Sequence, residues 1–162
     1  MAEIQGAAVP VEAGKTTMKT RHFINQIEKN RLVKAIQDAE QGSSGDIVLY
    51  ISYKKVADPQ VAAHSVFRKL SLGKTEIQNA VLIFLAPESQ KLAVIGGTEL
   101  YQKLTADWWK NLVAEMSTNF AQSRLTEGLL LAIEQIGIAL KTHFPAHQEI
   151  DRSGQSDVVE ET

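Results

Sequence analysis

Residues 80–95 read AVLIFLAPESQKLAVI, which is two apolar runs separated by a short polar turn. The runs at 80–85 and 92–95 are brief and rich in β-branched and aromatic residues, as is typical of buried strands. The link between them contains proline and is too short for a crossover connection. The stretch therefore predicts an antiparallel β-hairpin.

A third strand is predicted upstream of the hairpin. Residues 46–52 read DIVLYIS and are apolar on both faces, which indicates a central, buried strand. Between this strand and the hairpin, Asp58-Pro59 has the residue types of a helix start, with Asp as the N-cap and Pro in the first turn. A helix over 58–72 would join two parallel strands in a right-handed βαβ unit.

Helical periodicity flanks the predicted strands on both sides. Asn25 and Glu28 match a capping box, and the helix that follows them should end at Gly42. A loop is predicted after Gly97, and Thr105 then precedes a further apolar stripe at helical spacing. The last predicted helix covers about 125–142, is apolar on most sides and should lie deep against the sheet. This order of helices and strands favours α/β layering.

Composition fits one globular domain with disordered ends. The chain has 162 residues, of which 44% are apolar and 22% are charged, enough for a substantial core. Residues 1–22 show no periodicity and are predicted to be a disordered arm. Residues 145–162 carry five acids against one base and are predicted to be a disordered acidic tail. The predicted domain is 23–144.

Charge and residue usage exclude several classes of function. The formal net charge is -2, and residues 23–144 carry only +1, so no field for a nucleic-acid backbone is expected. The absence of cysteine excludes disulfides and thiolate chemistry. The longest apolar run, 80–86, is too short to insert into a membrane, and no signal peptide is recognisable. A cytoplasmic, monomeric protein is the default expectation.

Adjacent tryptophans point in different directions from one predicted helix. Trp109 falls on the apolar stripe and is predicted to lie in the core. Trp108 is then directed to the flank of the helix or to the surface. It is either partly buried or an exposed anchor for a protein partner.

Four segments, in this order and spacing, resemble the TPM domain family and above all its short, soluble bacterial members. They are SGDIV at 44–48, QNAVLI at 78–83, KLAVIGG at 91–97, and Phe120 through EGL at 127–129. The resemblance covers 23–144 and implies a three-layer, Rossmann-like sandwich with helices on both faces of a mixed sheet. It also implies a link to thylakoid proteins reported as acid phosphatases in photosystem II repair, and to Ca²⁺ or Mg²⁺ binding through acidic residues at loop ends.

The candidate site residues follow from this resemblance. Asp107 matches a family carboxylate and would be a metal ligand or general acid/base; the alternative is a first-turn acid that favours the helix dipole. Glu76, Gln78 and Asn79 precede a predicted strand, where loops gather, so their oxygens could converge with Asp107 as metal ligands. The alternative for these three is an ordinary polar loop.

Two departures from the family pattern bear on this metal site. The family commonly has Asp-Asn-Gly where this chain has Gln78-Asn79-Ala80, and Gly-Asp-aromatic where it has Ser123-Arg124-Leu125. An amide and a guanidinium thus replace two carboxylates, and hard cations bind anionic oxygens best. The sequence favours a non-catalytic protein-interaction or assembly module with weak or no metal binding. The alternative is a metal-dependent, acid-phosphatase-like phosphomonoester hydrolase that uses Asp107.

Overall fold

A mixed β-sheet forms the middle layer of the molecule. The structure, a computed structural model, describes residues 5–10, 24–70, 79–146 and 158–161. The strands are β1 (Gln5–Pro10), β2 (Asp46–Ser52), β3 (Ala80–Ala86), β4 (Lys91–Gly96) and β5 (Val158–Glu161). The helices are α1 (Gln26–Glu40), α2 (Pro59–Lys69), α3 (Thr98–Lys103), α4 (Ala106–Ala121) and α5 (Leu125–His143).

The strand order in the sheet is β1-β4-β3-β2-β5. Strands β3 and β4 are antiparallel and are joined by the tight turn Pro87–Ser89, which confirms the predicted hairpin. Strands β2 and β3 are parallel, with α2 between them along the chain, so the predicted βαβ unit is present. The three strands in the middle of the sheet are those that the apolar runs predict.

Helices cover both faces of the sheet and make three layers, as predicted. On one face, α1, α4 and α5 pack their buried side chains against the larger hydrophobic cluster. On the other face, α2 contributes Ala63, Val66 and Phe67 to a second cluster with the strands. Within the described ranges, no helix combines the length and the hydropathy that crossing a membrane requires.

Side-chain caps fix the starts of three helices. Asn25 and Glu28 form the predicted capping box at α1, with Glu28 N–H donating to Asn25 Oδ1 at 2.8 Å. Asp58 caps α2, where Pro59 is the first residue of the helix. Thr105 caps α4. Each cap satisfies backbone N–H groups that have no partner inside the helix.

Three elements lie where the sequence predicts none. Strand β1 falls in the predicted disordered arm 1–22, and β5 falls in the predicted acidic tail 145–162; the remaining residues of both segments, apart from Pro145 and Ala146, lie outside the described residues. Both are edge strands, and edge strands are ordered by pairing with a neighbour rather than by a strong pattern of their own. Helix α3 replaces a predicted loop and, at six residues, is too short to show helical periodicity.

His64 on α2 gives folding a dependence on pH. Its Nε2 is buried without a hydrogen-bond partner among the described residues. Burial lowers the pKa of His64 from its ordinary value of 6.5, Arg68 lowers it further, and Asp58 opposes the shift. The unfolded chain therefore takes up this proton more readily than the folded one, so stability is lost as pH falls below 6.5.

We expect His64→Gln to reduce this loss of stability in acid. Urea unfolding of the variant and of the wild type, compared between about pH 7.5 and 5.5, should show a smaller drop for the variant, because the glutamine cannot be protonated. An equal drop in both proteins would contradict the assignment to His64.

Candidate functional site

The loops before β2 and β3 meet at the end of the sheet where β4 finishes. In the ladder, Asp46 pairs with Ala80 and Val81 pairs with Gly96. The N–H of Gly97, which immediately precedes α3, donates to the Ala80 carbonyl at 2.9 Å. This end of the sheet is where the sequence places the candidate ligand Asn79.

Asn79 is a buried polar residue directly before β3, with only 3% of its surface exposed. Its Nδ2 donates to Ser44 Oγ at 2.9 Å. The backbone carbonyl oxygen of Asn79 packs against Gly45, only 3.1 Å from the position that a Cβ on that glycine would occupy. The residue thus holds the loop before β3 against the turn before β2, a contact of the kind that contributes about 1 kcal/mol.

Asp107 lies in the first turn of α4 and is exposed to solvent. The N-cap Thr105 precedes it, with Oγ1 accepting from the Trp108 N–H at 3.1 Å. In this position the negative charge interacts favourably with the dipole of α4, which is one of the two roles that the sequence leaves open. Among the described residues, no hydrogen bond or ion pair is found between Asp107 and Asn79.

Two of the four candidate ligands for Ca²⁺ or Mg²⁺, Asn79 and Asp107, lie within the described residues. These ions need several oxygen ligands, and Ca²⁺ takes about six to eight. Within the described part of the chain, no group of three or more His, Cys, Asp or Glu side chains could hold a metal. Glu76 and Gln78 lie outside the described residues, so the four-residue metal site with Asn79 and Asp107 stays a prediction.

A buried polar junction behind this end of the sheet has no counterpart in the sequence prediction. Glu40 is 2% exposed, and its Oε2 accepts from the Ile47 N–H at 2.8 Å. Ser43 Oγ donates to the Phe144 carbonyl at 2.8 Å and accepts from the Gly45 N–H at 2.9 Å. The junction joins the end of α1 to β2 and to the end of α5. The one feature of this junction that is visible in the sequence is Glu40, an acid in the last turn of α1, where the helix dipole disfavours negative charge.

The outward face of α5 carries exposed apolar side chains. Leu131 is 46% exposed and Ile138 is 60% exposed. They are seven residues apart, so they lie on one stripe of the helix. The exposed acids Glu127 and Glu134 lie along the same side of the helix. The sequence predicts that α5 is deeply buried on most sides and does not anticipate this stripe.

Trp109 is in the core, as predicted, and Trp108 takes the partly buried position. The two rings meet edge to face with centroids 4.9 Å apart. Trp108 packs on the main hydrophobic cluster, so its ring is a support for Trp109 rather than a free anchor for a partner.

Comparison with known proteins places the chain in a family. The family model of the TPM domain matches residues 18–139, three quarters of the chain. The chain belongs to the TPM domain family. No match was found among curated proteins.

The fold of this TPM domain is also found in solved structures of other proteins. The BA42 protein of the psychrophilic bacterium Bizionia argentinensis is 29% identical, with a TM-score of 0.76 over 85% of this chain and 95% of that one. The N-terminal domain of the cg2496 protein of Corynebacterium glutamicum is 15% identical, with a TM-score of 0.59 over 82% of this chain and 84% of that one. At its lower identity, the second likeness shows the fold alone.

One departure of this TPM domain from the family pattern has a clear structural setting. Ser123 has φ of 61°, in the left-handed region that glycine occupies most readily and where the family commonly has glycine. Arg124 is the N-cap residue of α5 and is exposed, without a side-chain cap. A cation therefore stands at a helix N-terminus, which is the end that attracts negative charge.

Proposed function

We propose that this TPM domain is a non-catalytic interaction module that docks a protein partner on the outward face of α5. The observation that carries the proposal is the exposed apolar pair Leu131 and Ile138. Only one other large apolar side chain in the described residues is exposed, Val61 on α2. Single exposed apolar residues are common, but two on one stripe of one helix form a surface that a partner can bury.

The surroundings of the pair define the chemistry of the partner. Leu131 and Ile138 are seven positions apart, so their Cα atoms lie about 10.5 Å apart along the helix axis. Glu127 and Glu134 place negative charge along the same side. An amphipathic helix with apolar residues at matching spacing and with lysine or arginine beside them would bury the pair and face both acids.

The proposal includes weak or no binding of divalent metal. It is supported by the contrast between Asn79, a neutral side chain that is buried, and Asp107, which is exposed to solvent in a helical first turn. A cation held by a single exposed carboxylate would keep most of its water shell and bind weakly. The alternative of a metal-dependent phosphomonoester hydrolase needs further ligands, and it is tested together with the metal.

Charged substitutions on α5 test the docking face. We expect Leu131→Lys with Ile138→Lys to abolish binding of a probe peptide, a 14-residue amphipathic helix of leucine and lysine, because the two new positive charges repel its lysines; binding is followed by amide NMR shifts on α5. Folding should be unchanged within about 0.5 kcal/mol because both sites are at the surface. Val61→Lys, at an apolar site on the opposite layer that is at least as exposed as the pair, is the control and should bind as the wild type does. Equal binding by the double variant would refute the docking face.

A metal titration tests the second half of the proposal. Addition of Mg²⁺ or Ca²⁺ to the labelled protein should produce no saturable, localised amide shifts around Asp107 and Asn79 below millimolar concentration, because too few oxygens converge there. Localised shifts with metal-stimulated hydrolysis of a generic phosphomonoester, lost in Asp107→Ala, would instead establish the phosphatase alternative.

A further inference from the structure

The edge of β2 that faces away from β3 pairs with the short strand β5, which comes much later in the chain. We infer that this side of β2 is an acceptor site for an acidic, extended peptide segment, and that β5 fills the site in cis. The inference concerns a different surface from the α5 face and does not depend on the proposed function.

Two adjacent valines of β5 occupy the apolar part of the acceptor site. Val158 lies beside Leu49 in a parallel ladder, is 5% exposed, and joins the main cluster on the three-helix side. Val159 packs against the cluster on the α2 side. Alternate residues of a strand point to opposite faces, so the edge of β2 offers one apolar position on each face of the sheet.

Two adjacent glutamates of β5 occupy the polar part of the acceptor site. Glu160 contacts Lys29 Nζ at 3.3 Å and accepts from the Tyr53 hydroxyl at 2.8 Å. Glu161 forms an ion pair with Lys54, and its carbonyl accepts from the Tyr53 N–H at 2.8 Å. Two lysines and a tyrosine, from α1 and from the residues after β2, thus recognise consecutive glutamates. The ligand pattern is two β-branched apolar residues followed by two acids.

The occupant of the site is exchangeable because it is short and peripheral. Strand β5 has four residues, and its ion pairs are partly exposed, with 34% and 26% of the Lys29 and Glu160 side chains accessible. Short edge elements open at lower free energy than the core around them. Addition of a strand to a sheet edge is a common mode of peptide recognition, in which the ladder gives affinity and the side-chain positions give specificity. A partner segment of the same pattern can therefore replace β5.

The test uses the full chain and a synthetic peptide with the sequence of residues 156–162, SDVVEET. Val158→Asp should unseat β5 because it places a charge in the core, and the peptide should then bind the variant and shift the amides of β2 and Tyr53. The peptide should bind the wild type at least about tenfold more weakly than it binds the variant. The reason is that the tethered β5 competes at an effective concentration on the order of millimolar. A peptide in which both glutamates are replaced by lysine should bind neither protein.

A second variant guards against misfolding of the first. Glu160→Lys with Glu161→Lys removes the side-chain polar contacts of β5 and leaves its valines and its backbone ladder in place. This variant should also bind the SDVVEET peptide more tightly than the wild type. A concentration-dependent dimer of the wild type that Val158→Asp abolishes would show the same acceptor site filled by a second copy. Equal binding of the acidic and lysine peptides, or no binding to either variant at millimolar peptide, would overturn the inference.

Discussion

Gly137→Val is expected to lower the free energy of unfolding by about 3 kcal/mol, at the upper end of the range for overpacked cores. A Cβ at Gly137 would lie 2.7 Å from Ala39 Cβ, 3.0 Å from Ala39 Cα and 3.2 Å from the Ala39 carbonyl oxygen. Two of these atoms belong to the backbone of α1, so no side-chain rotation can relieve the clash. The whole of α1 would have to move away from α5.

Ile138→Val is the matched control for this substitution. It introduces the same residue at the next position of the same helix, where the side chain is 60% exposed, and should change stability by no more than about 0.5 kcal/mol. Guanidinium unfolding followed by circular dichroism measures both variants. If Gly137→Val were as stable as the control, the close approach of α1 and α5 at Ala39 would not exist in solution.

Trp109→Ala is expected to cost about 3 to 5 kcal/mol, which is typical for removal of a fully buried tryptophan. The ring is 1% exposed, covers Gly96 at the end of β4, and stacks on Tyr101 with centroids 5.7 Å apart. Its removal leaves a cavity between α4 and the sheet. Gly96 cannot supply the missing volume because it has no side chain.

Two further variants separate the packing of the Trp109 ring from its other properties. Trp108→Ala, at the partly buried neighbour, should cost less than half as much in the same unfolding measurement, because less of that ring is buried. Trp109→Phe should cost less than Trp109→Ala, since the indole N–H has no hydrogen-bond partner among the described residues and its loss breaks no bond. Equal costs for the two tryptophans would contradict the structure.

The sequence predicts the interior of this fold better than its edges. Strands β2, β3 and β4 are apolar on both faces, so their burial is visible from composition alone. Asn25, Asp58 and Thr105 mark helix starts through their side-chain chemistry. By contrast, β1 and β5 depend on the partner strand, and a local pattern contains no record of that partner.

The candidate site shows a similar division. Position along the chain correctly places Asn79 at the end of the sheet, but only the three-dimensional arrangement shows that its amide is engaged with Ser44. The buried Glu40 accepts from the backbone N–H of Ile47, and no spacing of residue types in the sequence predicts this hydrogen bond. The exposure of Leu131 and Ile138 depends on which neighbours flank α5, and the periodicity of α5 by itself does not reveal them.

The pairing of β2 with β5 also matters while the protein is being made. Strand β2 and its parallel neighbour β3 are synthesised before Val158. Until then the nascent domain has an unpaired strand edge, and such edges associate readily with other chains. A chain terminated before β5 would therefore expose this edge of β2 to aggregation and to chaperones that bind extended segments.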